Sequence, residues 1–166
     1  MAPGKCVVID TNVWAVAEGM HGGASDECVA ACLALLRRVD TGLLLAVDQG
    51  DEILAEYMSV LRAGKTSGLA TKLAIRLWHT RRDPQVCKAI AITRRDDPPG
   101  SYAEVPPNLH DFDADDQKFI AVAVAEGSTP LLFQALDGEW WQRQADLNDA
   151  GLNVQFLCAA DLLAEK

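Results

Sequence analysis

Short apolar runs alternate along this chain with longer stretches of helical periodicity. Residues 5–10 (Lys-Cys-Val-Val-Ile-Asp) are an apolar run ending in an acid and read as a buried strand. Ser25 precedes residues 26–39, where Val29, Cys32, Leu33 and Leu36 recur at helical spacing, so a helix capped by Ser25 is predicted. Residues 43–47 form a second strand, followed by a helix over 50–62 with Ile53, Tyr57, Val60 and Leu61 on one face. Another helix starts at Thr66 or Ser67 and runs to about His79, striped by Leu69, Leu73, Arg76 and Leu77. Residues 87–93 fit an edge strand or a loop, and 96–107 (DDPPGSYAEVPP) a Pro-rich loop. A helix over 115–126 stops at Gly127, a strand covers 131–133, a helix over 139–150 closes at Gly151, and 153–157 is the last strand. Strands alternating with helices predict a three-layer α/β/α domain around a mostly parallel sheet. With neither repeat nor linker evident, residues 1–166 read as a single domain. In such sheets ligands gather outside the carboxyl ends of the strands.

Composition narrows the class. At 166 residues and 49% hydrophobic, with 12 Gly and 7 Pro, the chain excludes disorder and low-complexity classes. No apolar run approaches the roughly 20 residues of a membrane span, and the start lacks the apolar core of a signal peptide, so a cytoplasmic protein is expected. Five cysteines (6, 28, 32, 87 and 158) without a CxxC pair read as reduced, buried small hydrophobes, not as a disulfide or zinc framework.

The net charge of −9 argues against a polyanionic partner, but its distribution does not. Nine bases and one acid fall between Arg62 and Arg95, leaving six of the 15 bases and 23 of the 24 acids elsewhere. A basic arm beside an acidic centre suits a polyanion held over metal-binding carboxylates. A solvated helix face fits the same run.

Asp10 and Asp137 each follow an apolar strand, where two acids at one sheet edge become neighbours; either also fits a turn or helix cap. Asp116 has Phe119, Ile120 and Ala123 at i+3, i+4 and i+7, so it projects from the buried stripe of its helix, ahead of Asp113 and Asp115 as a site candidate. The helix dipole alone would also favour an acid there. Glu56 lies at the edge of its helix's apolar face, with Glu52 one turn earlier, and pairing with Lys or Arg is the plain alternative for both; Asp48 fits a loop or cap. Four carboxylates converging without a base cannot all ionise comfortably, and a hard divalent cation such as Mg²⁺ or Mn²⁺ resolves the conflict. His21, His79 and His110 show no metal spacing, and neither a Gly-x-Ser-x-Gly elbow nor a P-loop is present.

Four segments together resemble the PIN domain family of metal-dependent ribonucleases: Val7-Val8-Ile9-Asp10-Thr11-Asn12-Val13-Trp14, Ile53-Leu54-Ala55-Glu56-Tyr57, Asp115 to Ala123, and Leu132-Phe133-Gln134-Ala135-Leu136-Asp137. The resemblance spans residues 5–157 and implies an acidic quartet of Asp10, Glu56, Asp116 and Asp137, with Asn12 or Thr11 as a polar helper. It also implies Mg²⁺ or Mn²⁺ held by Asp10, Asp116 and Asp137, Glu56 orienting or deprotonating the attacking water, and single-stranded RNA as substrate. The family often supplies the toxin of a bacterial toxin–antitoxin pair, so an antitoxin-like protein or a second subunit is an implied partner, and no membrane is. Two departures stand out: Ala135 replaces the Ser or Thr usual two residues before the fourth acid, and 64–110 is long and basic. Arg81, Arg82, Arg94 and Arg95 are candidates for the phosphate backbone. A catalytically silent PIN-like module that docks RNA or protein is the alternative. A receiver-like domain is a second, disfavoured because the strands offer no lysine at a late strand end.

Overall fold

Five parallel strands form the central sheet, ordered across it as Cys87–Ile90, Leu45–Asp48, Val7–Ile9, Leu131–Gln134 and Asn153–Phe156. The structure is a computed structural model and describes residues 6–128 and 130–165, so Lys5, the start of the first expected strand, lies outside the described residues. The strands are β1 (Val7–Ile9), β2 (Leu45–Asp48), β3 (Cys87–Ile90), β6 (Leu131–Gln134) and β7 (Asn153–Phe156). A separate antiparallel ribbon pairs β4 (Arg94–Arg95) with β5 (Ser101–Tyr102). The helices are α1 (Thr11–Ala17), α2 (Asp26–Asp40), α3 (Glu52–Ala63), α4 (Leu69–Thr80), α5 (Ala114–Glu126), α6 (Gly138–Gln142), α7 (Gln144–Asp149) and α8 (Ala159–Ala164).

Helices α1 to α4 pack on one another as one layer, while α5 lies against β1, β2, β3 and β6, and α7 against β7. The predicted three-layer α/β/α architecture with a mostly parallel sheet is the observed one. Val7, Val8 and Ile9 are all buried, as a strand covered on both faces requires. Residues Gln117 to Ala123 of α5 are buried on every side, the mark of a helix across the middle of a sheet. Among the described residues no helix is long and apolar enough to cross a membrane.

Three local features depart from expectation. The helix expected over 139–150 breaks at Arg143, whose guanidinium bonds to Asp111, Asp146 and the carbonyl of Asn108 and stacks over Phe112. That side chain fastens the loop before α5 to the α6–α7 joint. The 96–107 loop contains β5, and Glu104 accepts the Thr93 amide across the ribbon. Helix α1 is only seven residues long, too short to show a periodicity in sequence. Gly127 and Gly151, the expected stops, hold φ of 77° and 80°, a left-handed conformation that strains other residues.

The sheet order reverses between β1 and β6: the chain moves from β1 outward to β3, then returns to β1's other side. This is the topological switch point, where the loops leaving two adjacent strands diverge and open a crevice. The residues following β1 and β6 therefore line it.

Candidate functional site

Asp10 follows β1 directly, and its amide donates to the Phe133 carbonyl at 3.0 Å, extending the pairing with β6 by one residue. Its Oδ2 accepts the Asn12 amide at 2.9 Å and caps α1. Asp137 plays the same part after β6: its Oδ1 accepts the Glu139 amide at 2.9 Å and caps α6. The two turns are fastened together by Asn12 Oδ1, which accepts the Leu136 amide at 2.7 Å. Both acids are thus helix caps, the plain role the sequence allowed, yet each spends only one oxygen on the cap. Asp10 Oδ1, Asp137 Oδ2 and both oxygens of Asp116 accept no hydrogen bond of normal geometry from a described residue.

Asp116, in the first turn of α5, completes the group. Burial raises the Asp10 carboxyl to about 7, opposed by the Asn12 amide and reinforced by the charges of Asp137 and Glu56. Burial also raises Asp116 to about 8, with Asp10 and Asp137 adding to it and the Trp140 side chain opposing. The structure therefore brings Asp10, Asp116 and Asp137 into one electrostatic neighbourhood. Asp115 is exposed and Asp113 caps α5 through the Asp115 amide, so Asp116 alone of the three faces the crevice. Gln134 Nε2 and Trp140 Nε1 are buried beside these acids, Gln134 easing the rise at Asp10 and Trp140 that at Asp116, though neither makes a hydrogen bond of normal geometry with a described residue. Gln134 supplies the polar group nearest the sheet end, where Ala135 is wholly buried and offers none.

Glu56 differs. Lys118 Nζ donates to its Oε1 at 2.8 Å, and the Thr11 hydroxyl donates to Oε2. The expectation that no base meets the four acids is corrected here: Lys118, two residues after Asp116, turns toward α3 and neutralises Glu56 with its own side chain only 10% exposed. Tyr57, next to Glu56, donates its hydroxyl to the Ile9 carbonyl and anchors α3 to β1. Glu52 is held by Arg94 and by the Tyr102 hydroxyl, which docks the β4–β5 ribbon at the rim of the crevice. Asp48 caps α3 through the amides of Glu52 and Ile53 at 2.9 and 2.8 Å.

Much of the basic segment is already paired. Arg76 meets Asp40, Arg81 and Arg82 share Asp51, Lys88 meets Glu126, and Arg94 meets Glu52. Among the described residues Arg62, Lys65, Lys72 and Arg95 form no ion pair, so the free positive charge is about half of what the sequence count suggests. Acids distant in sequence supply the partners, which a local charge count does not register.

Chemically, the three crevice carboxylates are hard oxygen donors of the kind Mg²⁺ and Mn²⁺ prefer. No three carboxylates among the described residues have ligand oxygens all within 4.8 Å of one another. A Mg²⁺-like ion fits such a set because it keeps several waters and needs only one or two direct carboxylates.

The one group of three metal-ligating side chains with mutual distances under 4.8 Å, among the described residues, is Cys28, Cys32 and Cys158. As free thiolates its three sulfurs would be a donor set able to chelate a metal ion. Cys28 and Cys158 are joined as a disulfide across 130 positions, which corrects the expectation that all five cysteines are reduced; Cys6, Cys32 and Cys87 are free and buried. The pairing joins the start of α2 to the start of α8, and spacing along the chain gave no sign that these meet. In comparisons with known proteins, no family model, no curated protein and no solved structure matches this chain.

Proposed function

We propose that the protein is a metal-dependent ribonuclease that hydrolyses phosphodiester bonds of single-stranded RNA at the crevice between β1 and β6. The observation that carries this reading is the grouping of Asp10, Asp116 and Asp137 at the switch point, where burial and one another's charges raise the carboxyls of Asp10 and Asp116. These three would hold Mg²⁺ or Mn²⁺, directly or through water. When bound, the ion supplies a lowered pKa for a coordinated water and charge stabilisation at a phosphoryl oxygen. Asn12 sets the separation of Asp10 and Asp137 through Leu136. Glu56 orients water at the margin, its charge balanced by Lys118. Arg95, exposed on the ribbon beside the crevice and without an ion-pair partner among the described residues, is the favoured phosphate contact. The resemblance to PIN domains supports an antitoxin-like protein or a second subunit as a further partner.

Incubating a single-stranded RNA with the protein in Mn²⁺, in Mg²⁺ and in chelator tests the proposal. Cleavage that requires the metal and is lost in Asp10→Asn is the expected result; cleavage that persists in chelator or in the variant overturns it. A second reading, a silent module that binds RNA or protein, is favoured by the Glu56–Lys118 pair and by Ala135. RNA bound but left intact under all three conditions would select it.

A further inference from the structure

We propose that Cys28, Cys32 and Cys158 form a redox-gated site for a soft divalent cation of the Zn²⁺ class: a disulfide when oxidised, a three-thiolate metal site when reduced. The sulfurs come from helix α2 and from the residue that caps α8, all lie within 4.8 Å of one another, and the three residues are 0–3% exposed. Thiolates at about 2.3 Å from one Zn²⁺ sit roughly 3.8 Å apart, inside that spread. Opening the bond leaves Cys28 and Cys158 to separate only by side-chain rotation, because a second attachment holds the helices together. Asp161, one turn into α8, accepts the Ser25 amide and the Ser25 hydroxyl, both at 2.8 Å. Ser25 is itself the cap of α2, bonding back to the Cys28 amide, and Leu162 of α8 is buried. The cluster is therefore preorganised without the covalent link.

Cys32 distinguishes the proposal from a simple staple. A disulfide needs two sulfurs, whereas Cys32 stands one helical turn after Cys28 and brings a third to the same point. The chemistry balances with a dithiol as reductant. Two electrons and two protons pass from the dithiol to the Cys28–Cys158 bond, giving two thiols and the cyclic disulfide of the reductant. The cation then displaces the protons of three thiols and binds three thiolates, leaving a fourth position for water. Either way α8 stays fastened to α2, covalently in one state and through the ion in the other.

Cd²⁺ titration of the full chain, reduced with a non-chelating phosphine and kept anaerobic, is the first measurement. One Cd²⁺ per chain with the ultraviolet band of thiolate-to-cadmium charge transfer is expected, absent from the oxidised protein and weakened by about a third in Cys32→Ser. Cys6→Ser and Cys87→Ser should leave the band unchanged. Because a Cys32 variant can fail to fold, the unaltered protein supplies a second readout. After reduction, stoichiometric Zn²⁺ should slow alkylation of Cys28, Cys32 and Cys158 at least tenfold, as mapped by peptide mass spectrometry, without slowing Cys6 or Cys87. A reduced protein that takes up no Cd²⁺, or alkylation indifferent to Zn²⁺, overturns the proposal and leaves a disulfide beside a buried thiol.

Discussion

The crevice after β1 and β6 and the surface of α3, α4 and the ribbon carry opposite charge and handle it in opposite ways. Around α3 and α4 nearly every acid has a base: Asp51 takes Arg81 and Arg82, Glu52 takes Arg94, and Glu56 takes Lys118. In the crevice Asp10 and Asp116 pair with no base among the described residues and instead hold protons more tightly, at about 7 and about 8. Exposed pairs contribute little to stability, a fraction of a kcal/mol each. Buried like charges oppose folding and persist where something outside the chain relieves them. On the proposed reading, the difference assigns the chemistry to the acids without a base and leaves the paired rim as scaffolding.

The strongest way to break this contrast is Asp10→Asn. It keeps the α1 cap, which asparagine also forms, while removing a charge, so metal-dependent RNA cleavage should fall by roughly 100-fold or more and the metal-free protein should melt higher. Thermal scans beside a cleavage assay check both halves. Asp116→Ala should match the loss in cleavage, whereas Asp115→Ala, exposed and outside the crevice, should stay within about twofold of the unaltered protein. Cleavage rates for the pair settle which carboxylate α5 contributes.

Removing the base that neutralises Glu56 tests the other side. Lys118→Met leaves a largely buried carboxylate facing only Thr11, so urea unfolding should show a loss of roughly 2 kcal/mol. The crevice also sets a pH dependence of definite sign. An unfolded aspartate titrates near 3.9, while the folded Asp10 and Asp116 titrate at about 7 and about 8. Between those values the folded state binds more protons, so stability in chelator falls as pH rises, and is restored on acidification toward the unfolded value. Melting temperatures in chelator should decline from pH 5 to pH 9, and Mn²⁺ should flatten the decline. A stability that rises over that range would mean the acids are not crowded.

The smallest effects concern the rim. Arg95→Glu should lower the salt dependence of RNA binding by about 0.7 in logarithmic slope, the value for one phosphate of a single strand. Arg81→Glu with Arg82→Glu should leave that slope nearly unchanged, since both guanidinium groups already serve Asp51. Binding measured at several salt concentrations compares the two.

The layers and most elements were legible in sequence because they rest on local rules. Ser25 caps α2 as its hydroxyl chemistry suggests, and Gly127 stops α5 through a conformation it alone adopts cheaply. The half-buried position of Asp116 beside an exposed Asp115 agrees with the phase read from Phe119, Ile120 and Ala123, although α5 is buried on every side from Gln117 to Ala123 and shows no single stripe. What the sequence hid depends on contacts between distant positions. Lys118 reaching Glu56, Arg143 breaking a helix to hold Asp111, and Cys28 meeting Cys158 have no signature in spacing. Helix α1 was hidden for a different reason: seven residues span too few turns to show a stripe.

The hydrogen bond from Leu136 to Asn12 has a mechanical consequence. Two loops that leave adjacent strands would otherwise be free to spread, and the gap between Asp10 and Asp137 with them. One uncharged side chain acts as a tie rod across that gap. The span of the mouth is then a property of amide length, tunable without touching an acid: Asn12→Ala would let it widen, and Asn12→Gln would lengthen the rod by one methylene. The calibre of whatever the crevice admits is set there.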